Sequence, residues 1–264
     1  MSDPQKAVDT LFRQRPEWAG NIIMAGLRGS DAHGTKLPPD HPRSTDDTDT
    51  FGISVQPVDW YLGLQGYAGQ ARQSWDTSGE HYDHLIHDVR KFFSLALKGN
   101  PNVQCWLWAD DADVPHQTEE GRLIRQHRRL FLSRRCFRAL GGYARSQLKK
   151  MDRKRYQGYQ GKKRKELVDE LGYDVKHASH CIRLLNMGIE LAETANMHTR
   201  RPEDEAAMLM EIKAGDWPYR RTESLALDLW NRFQEAEEGS DMRPEPERDK
   251  ANKLMVRIIH TANE

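Results

Sequence analysis

The sequence predicts an α+β fold, in which a small mixed β-sheet with flanking helices is followed by an α-helical C-terminal domain. Two observations lead to this prediction. Residues 1–115 mix short apolar runs with clusters of Gly, Pro and Asp, which is the pattern of strands and turns. From residue 116 onward, Leu, Arg, Glu and Ala recur at helical spacing with few breakers. We therefore predict one domain over 1–115 and an α-helical domain over 116–264.

The N-terminal half predicts helices and strands in a mixed order. A helix is expected over 6–15 and another over 89–97, because both segments are amphipathic. The apolar run 21–27 leads into a Gly-Ser pair, so it predicts a buried strand followed by a tight turn. Three further segments are predicted as strands: 48–55, 82–87 and 103–108.

The C-terminal half predicts helices throughout. Apolar residues such as Ile182, Leu185 and Ile189 recur at the helical period, so we expect them to form a buried stripe. The predicted helices are 118–130, 133–151, 161–170, 173–196, 203–214, 219–237 and 247–262.

Overall composition restricts the class of protein without naming a partner. The 264 residues include 40 basic and 40 acidic side chains, so the total charge predicts no polyanionic partner and only local clusters could. No apolar run reaches the ~18 residues that span a bilayer, and the N-terminus lacks a signal-peptide pattern. Three cysteines among apolar neighbours (Cys105, Cys136, Cys181) predict reduced, mostly buried thiols. We therefore predict a cytoplasmic protein without membrane association.

Two carboxylates at the start of the predicted strand 48–55 carry the strongest chemical signal. Side chains two apart on a strand point to the same face, so Asp47 and Asp49 are expected to project together. Adjacent carboxylates repel each other and stay ionised only with a cation between them. Mg²⁺, or Mn²⁺, is the expected cation, since Mg²⁺ takes one or two carboxylates together with substrate phosphates. Two such ions would support phosphoryl or nucleotidyl transfer.

The Gly29-Ser30 pair fits the same chemistry. A glycine lets the backbone approach a phosphate closely, and the Ser30 hydroxyl can hold a phosphate oxygen. Arg28 and His33 would add positive charge or a donor nearby. Each piece has an ordinary alternative, because Gly-Ser pairs are usually plain turns and Asp-rich runs are usually solvated loops or helix caps. Their order and spacing, each behind an apolar run, favour a site.

The two stretches GLRGSDAHG and STDDTDTFGI resemble the signature of the DNA polymerase β nucleotidyltransferase superfamily. They are most similar to the RNA-repair-pathway DNA polymerase β-like branch, which shows Gly-Ser-x-x-aromatic-Gly and then Asp-x-Asp-x-x-Gly. His33 stands where an aromatic residue is usual. The resemblance continues through 87–103, 141–150 and 173–194, and so covers most of the chain. The matching residues are Gly29, Ser30, Gly34, Asp47, Asp49 and Gly52.

The resemblance implies an NTP substrate and assigns roles to the matching residues. Asp47 and Asp49 would bind the metal ions, while Gly29 and Ser30 would hold the triphosphate. A third catalytic and metal-binding carboxylate is expected on a later strand, for which Asp83 is the first choice and Glu80 the second. Members of the branch often carry a glutamate where this chain has Cys105, which is a departure from the pattern.

A polar face on the predicted helix 173–196 is the next candidate. Lys176, His180 and Arg183 share one face, whereas His177 is offset by about 100°. The face could bind the nucleotide across from the metal site, or it could be an ordinary solvated face. The resemblance favours nucleotide binding, because similar proteins carry this pattern.

The segment 149–165 holds nine basic residues against one acid, with two tyrosines between them. Basic side chains would contact phosphates and tyrosines could stack on unpaired bases, whereas the ordinary alternative is a solvated loop. An RNA or DNA acceptor is therefore expected, with nucleic-acid contacts from Lys149, Arg153, Arg155, Lys162 and Lys163.

The sequence thus predicts an enzyme that moves an NMP from an NTP to an acceptor hydroxyl, with an RNA or tRNA end as the first choice of acceptor. Two alternatives stay open. One is a catalytically inactive regulator that binds a nucleotide or RNA, and the other is a nucleotidyltransferase that acts on a small molecule or a protein in the manner of a toxin. The sequence predicts no particular oligomeric state.

Overall fold

The protein has the predicted α+β fold, built on one mixed β-sheet. The computed structural model describes residues 2–44, 47–64, 69–77, 80–151 and 162–264. The sheet order is β3-β4-β2-β1-β5, in which β2 and β4 are parallel and the other neighbours antiparallel. The strands are β1 (Ile22–Leu27), β2 (Thr48–Ser54), β3 (Gln70–Thr77), β4 (Glu80–Asp88) and β5 (His116–Gln117).

Helices surround the sheet and make up most of the C-terminal half. The N-terminal half contains α1 (Pro4–Gln14), α2 (Gly29–His33), α3 (Val58–Leu62), α4 (Val89–Leu97) and α5 (Pro101–Leu107). The C-terminal half contains α6 (Glu119–Gln126), α7 (Arg134–Met151), α8 (Lys162–Leu171), α9 (Val175–Thr194), α10 (Glu203–Ala214), α11 (Tyr219–Glu238) and α12 (Arg248–Thr261). The predicted helices of both halves are confirmed, with ends that differ by a few residues.

One predicted strand, 103–108, is wrong, because this segment belongs to helix α5. The Asn100 side chain accepts hydrogen bonds from the backbone N–H groups of Asn102 (3.1 Å) and Val103 (3.3 Å), and Pro101 occupies the first helical position. Nearly every residue of α5 is buried. A helix buried on most of its surface has a continuous apolar sequence, which cannot be told from a buried strand by periodicity.

Two strands were not predicted, and both lie at edges of the sheet. The β3 sequence, QARQSWDT, has few apolar residues, and β5 is two residues long. An edge strand of this kind lacks the alternating apolar pattern that identifies half-buried strands. The interior strand β1, by contrast, is buried at every position.

The hydrophobic core is continuous between the two halves of the chain. Phe51 of β2 stacks on Trp106 of α5, with ring centroids 4.6 Å apart, and the same cluster of buried residues extends through α7 and α9 to Ile258 of α12. The stripe predicted on α9 is buried in this core. The division into domains 1–115 and 116–264 stays a prediction.

Two other features concern cysteines and membranes. Cys105, Cys136 and Cys181 are free and buried, which confirms that prediction. In the ranges described above, none of the helices has the length and apolar character needed to span a bilayer.

Close packing at Gly188 yields a first testable prediction. A Cβ added at Gly188 of α9 would lie 2.2 Å from Cε2 of Phe233, a buried ring of α11. Gly188→Ala is therefore expected to lower the free energy of unfolding by about 1–3 kcal/mol through overpacking. Urea denaturation would measure the change.

Gly142 of α7 is the matched control. A Cβ there meets nothing within 4 Å, so Gly142→Ala is expected to stabilise the helix by about 0.5–1 kcal/mol. If both variants shift the free energy of unfolding in the same direction, the close approach of Phe233 does not determine the effect of an alanine at position 188.

Candidate active site

A cleft of about 440 Å³ lies between the sheet and helix α9. Its acidic wall forms where the parallel strands β2 and β4 begin. Asp49 and Asp83 are paired in register, so their side chains are neighbours on one face of the sheet. Asp47 precedes β2 and is the most exposed of the three, with 50% of its side chain accessible against 10% for Asp83. The three carboxylates singled out in the sequence thus line one cleft.

Arg28 connects two of these carboxylates. Its Nη2 atom lies 2.9 Å from Asp49 Oδ1 and 3.0 Å from Asp83 Oδ2. The guanidinium also donates to the carbonyl oxygens of Thr50 (2.9 Å) and Asp83 (3.2 Å). Arg72 of β3 is a second partner of the Asp83 carboxylate. In this conformation the cation between the two carboxylates is therefore an arginine, a residue that the sequence assigned to the nucleotide.

The surroundings shift the pKa values of Asp49 and Asp83 in opposite directions. Burial raises the pKa of Asp49 to about 6, with a further rise from the neighbouring charges of Asp83 and Asp47 and an opposing effect of Arg28. Burial alone would also raise the pKa of Asp83. However, the hydrogen bond from Arg72 and the charges of Arg28 and Arg72 hold it below its ordinary value. Asp83 is thus the more firmly ionised of the pair.

The Gly-Ser pair begins helix α2 instead of forming an isolated turn. Gly29 has φ 65°, a left-handed conformation, and a Cβ there would lie 2.2 Å from Asp49 Oδ2. Ser30 lines the cleft one residue later. Lys36 holds α2 next to the start of β2, because its Nζ contacts Asp31 Oδ2 (2.8 Å) and the Asp47 carbonyl (3.2 Å). Gly29 is therefore required for both its backbone angle and the space that the Asp49 carboxylate occupies.

A second prediction concerns Gly29. Gly29→Ala is expected to displace the Asp49 carboxylate and to lower the nucleotide transfer that the sequence resemblance implies at least about 100-fold, since a 1 Å misplacement of a catalytic group has an effect of this size. Gly20→Ala is the control, because the nearest atom to a Cβ there is 3.5 Å away. Initial rates of transfer from a labelled NTP would measure both. Unchanged activity of Gly29→Ala would contradict the need for this close approach.

The opposite wall of the cleft is basic and comes mainly from α9. Lys176, His180 and Arg183 line the cleft together, as expected from their spacing, and Ser179 lies between them. His177 does not line the cleft, and its Nδ1 atom lies 2.5 Å from Oε1 of the cleft residue Gln147. The sequence-predicted face of α9 and the carboxylates of the sheet therefore face the same space.

Arg183 is a buried cation on this wall. It is 8% exposed, its Nη1 contacts the sulfur of Met187 at 3.1 Å, and it makes no ion pair with a carboxylate in the described part of the chain. Burial lowers the pKa of His180 well below its ordinary value, and the charges of Arg183 and Lys176 lower it further. Arg183 thus has a buried positive charge with no carboxylate ion pair among the described residues, which favours an anionic ligand.

Other cleft residues were not singled out in the sequence. Lys213 of α10 is buried, and its Nζ donates to the Thr35 carbonyl at 2.6 Å. A lysine in the last turn of a helix is an ordinary helix-end residue, so the sequence contained no signal for it. Arg72 was missed because strand β3 was missed. Cleft residues from α5 and α7 were also missed: Asn102, Tyr143 and Gln147.

His33 and Cys105 form part of the cleft floor. His33 is buried, with Nδ1 2.9 Å from the Thr199 carbonyl oxygen. Burial lowers its pKa well below the ordinary value, and the charge of Arg183 lowers it further, so His33 is neutral at pH 7. The thiol of Cys105, which stands where the sequence resemblance implies a glutamate, has its pKa raised by burial. His33 and Cys105 therefore add no charge to the cleft.

The residues predicted to contact nucleic acid are not among the described residues that line the cleft, or they lie outside the described ranges. Lys149 is exposed in the last turn of α7. Arg153 and Arg155 fall outside the described residues, and so do the two tyrosines between them and α8. Lys162 and Lys163 belong to the first turn of α8, and only their backbone is described. Their role stays a prediction.

The acidic wall fits a hard cation by its chemistry. Its donors are carboxylate oxygens, which Mg²⁺ prefers, and a positive group already lies between Asp49 and Asp83 in the form of Arg28. Among the described residues, no three His, Cys, Asp or Glu side chains form a ready ligand set in this conformation. Mg²⁺ does not need one, since it keeps several waters and takes its other ligands from substrate phosphates.

The sheet and cleft define an α+β protein with carboxylates at strand ends facing a basic helix. The chain belongs to the RNA repair pathway DNA polymerase beta family, whose model matches residues 4–257. The family places it among the polymerase β-like nucleotidyltransferases. No curated protein matches the chain.

One similar solved structure is a nucleotidyltransferase-like protein from Exiguobacterium sibiricum 255-15. It has 11% sequence identity and a TM-score of 0.34, over 98% of this chain and 77% of that chain. The family assignment rests on the family match alone.

Proposed function

We propose that the chain transfers an NMP from an NTP to an acceptor hydroxyl, with Mg²⁺ or Mn²⁺ held by the acidic wall of the cleft. The observation that supports this most is the opposition of two walls across one cleft. Asp49 and Asp83 lie in register on the sheet, and the buried cation Arg183 lies on α9 opposite them. A metal-bound triphosphate carries both kinds of charge. Its phosphates would bind the basic wall, and its metal ions would bind the acidic wall.

The basic wall is suited to bind the phosphates. A buried guanidinium without a carboxylate partner is costly, and an anion supplies the missing countercharge. Arg183 presents a planar fork that binds phosphate oxygens in pairs, while Lys176 is a compact charge at the cleft. Lys213, which the sequence did not indicate, adds a third cation at the cleft.

On the opposite side, Asp47, Asp49 and Asp83 would hold the metal ions. When bound, such ions polarise phosphate oxygens and stabilise the charge on attacking and leaving oxygens. The low pKa of Asp83 suits it to carry negative charge and makes it a poor proton acceptor at neutral pH. Gly29 and Ser30 would set the position of the triphosphate beside these carboxylates, which is the main contribution of a protein to phosphoryl transfer.

For the acceptor, we propose an RNA or DNA end. The basic segment that begins at Lys149 supports this choice by its charge, since phosphate contacts dominate nucleic-acid affinity. The main rival is a nucleotide-binding regulator without turnover. The ion pairs of Arg28 with Asp49 and Asp83 favour that rival, because they occupy the carboxylates that catalysis needs.

The test is transfer of label from each α-labelled NTP to total RNA in the presence of Mg²⁺. Wild type is compared with the Asp47→Asn/Asp49→Asn variant, which keeps the side-chain shape and removes two charges. Label in RNA with wild type alone supports the proposal and identifies the base. Label in protein or in a small molecule would support the transferase activity and replace the proposed nucleic-acid acceptor. NTP binding without transfer of label to RNA, protein or water would contradict the enzymatic proposal and favour the nucleotide-binding regulator.

A further inference from the structure

A second concavity, of about 670 Å³, lies outside the cleft, between α6 and the β5 edge of the sheet. Four arginines line it, and we call it the arginine hollow: Arg122, Arg125, Arg128 and Arg129. Asp111 is the one acid among its lining residues in the described part of the chain. The hollow is thus a strongly basic concavity outside the cleft, and all of its cations are arginines.

The positive charge of the arginine hollow is poorly neutralised. Asp111 is paired with Arg125, with Nη1 and Oδ1 2.7 Å apart. Arg128 stacks over the ring of Trp108 at 4.1 Å, a contact that leaves its charge in place. Neither it nor the exposed Arg122 and Arg129 forms an ion pair within the described ranges. An anionic ligand would therefore meet at least three uncompensated guanidinium groups.

One arginine of the hollow is buried with an unsatisfied donor. Arg125 is 9% exposed, and its Nη2 donates to the Ala109 carbonyl oxygen. Its Nε–H has no hydrogen-bond partner in the part of the chain that the structure describes. Burial lowers the pKa of the neighbouring Arg128, and the charges of Arg125 and Arg129 lower it further. Burying like charges together is unfavourable without a ligand, so this arrangement points to an anion.

We propose that the arginine hollow binds the phosphate backbone of a single-stranded nucleic-acid acceptor; this inference rests on the proposed function. Guanidinium groups bind phosphate oxygens through paired hydrogen bonds. Arg122 lies in α6, and Arg129 lies in the short 3-10 helix Arg128–Phe131 that follows it, yet both line the hollow. Guanidinium groups from two helical segments around one hollow suit more than one phosphate along a strand.

The position of the hollow fits an acceptor whose end reaches the cleft. Val114, which lines the hollow, packs on β1, since a Cβ added at Gly26 would lie 3.0 Å from the Val114 Cα. Gly26 is three residues before Gly29 of the cleft. Arg200 pairs with both Asp110 (3.4 Å) and Asp113 (2.6 Å), so these nearby acids are neutralised. The hollow therefore borders β1, the strand that leads into Gly29 of the cleft and lies beside β2 in the sheet.

The test compares two double variants that each remove two exposed positive charges. Arg122→Gln/Arg129→Gln changes the hollow, and Lys91→Gln/Lys98→Gln changes a separate basic groove between α4 and α12. All four side chains are exposed, so both variants are expected to fold. Binding of a labelled single-stranded RNA of about 20 nucleotides is measured by fluorescence anisotropy between about 50 and 200 mM salt, with inorganic tripolyphosphate as competitor.

The hollow variant is expected to bind RNA about tenfold more weakly at about 0.1 M salt, with the slope of log affinity against log salt reduced by about 1.4. The groove variant is expected to change affinity less than about twofold. Equal losses in both variants, no loss in the hollow variant, or no RNA binding by wild type would overturn the proposal. Competition by tripolyphosphate as effective as that by RNA at equal phosphate would also overturn it, in favour of a small-anion site.

The proposed function is tested separately, by transfer of label from an α-labelled NTP to a dinucleotide. This acceptor is too short to reach from the cleft to the hollow. Arg122→Gln/Arg129→Gln is expected to retain wild-type transfer to this acceptor. If wild type transfers to no acceptor, the proposed function fails while the RNA-binding result still decides the role of the hollow. If the hollow variant loses transfer to the dinucleotide as well, the hollow is not a separate acceptor site and the inference fails.

Discussion

Asp49→Asn is expected to lower the rate of nucleotide transfer by about 10³-fold or more, because it removes a charge at the centre of the acidic wall. The same substitution is expected to stabilise the metal-free protein. Burial holds the pKa of Asp49 at about 6, against 3.8 for an ordinary aspartate. At pH 7.5 an ionised Asp49 is therefore unfavourable in the folded state, and asparagine should raise the free energy of unfolding by about 1–2 kcal/mol.

The pH dependence of this stabilisation follows from the raised pKa. Between about pH 4 and 6 the unfolded chain ionises Asp49 while the folded state keeps it protonated, so wild-type stability falls relative to the variant as pH rises. Below about pH 4 the two should be alike, and above about pH 6 the difference should be constant. Urea denaturation in a chelator measures it. Asp47→Asn is the control, since its half-exposed side chain should matter little to stability. A variant less stable than wild type at pH 7.5 would contradict the raised pKa.

Arg28→Gln is expected to lower the free energy of unfolding by about 2–3 kcal/mol in the absence of metal, because Asp49 and Asp83 lose the cation that they share. Mg²⁺ should then recover the loss. A ligand stabilises a protein more when the folded state binds it more tightly. Without the competing Arg28, Mg²⁺ should therefore raise the Tm of Arg28→Gln by several degrees more than that of wild type. Thermal unfolding with and without Mg²⁺ measures both effects, independently of activity.

Arg72→Gln is the matched control for Arg28. Arg72 also binds the Asp83 carboxylate, but it makes no contact with Asp49 in the described structure and 67% of its side chain is exposed. Its loss should change stability by less than about 1 kcal/mol and leave the Mg²⁺ effect on Tm near that of wild type. An equal Mg²⁺ effect in Arg28→Gln and wild type would mean that arginine and metal do not compete for the carboxylates.

The parts of the cleft that the sequence predicted are those set by local structure. Gly29 and Ser30 follow a strongly apolar strand, and Asp49 lies at the start of another, so each could be located from its own neighbours. The α9 face is also local, because the helical period fixes which of its residues point the same way. The choice of Asp83 as third carboxylate came from the resemblance, and its register with Asp49 depends on a parallel pairing that no local pattern encodes.

The parts that the sequence did not predict depend on contacts between distant segments. The helix at 103–108 was taken for a strand because burial by other elements makes it apolar on most sides. Lys213 reaches the cleft because α10 packs on α9, and nothing in its own turn indicates this. The position of Arg28 between two carboxylates depends on β2 and β4 lying side by side. Each of these features follows from the packing of the whole chain.

Helix α9 has one face in the hydrophobic core, with Ile182 and Leu185, and another in the cleft, with Lys176 and Arg183. The carboxylates of the acidic wall come from one half of the chain, and the basic wall opposite them comes from the other. A fragment that ends at residue 115 would therefore keep every acid of the cleft, together with Arg28 and Arg72, and lose the basic wall opposite them. Any substitution that shifts α9 within the core also shifts the cations relative to the acids, so the fit of a ligand to the cleft is coupled to interior packing far from the cleft.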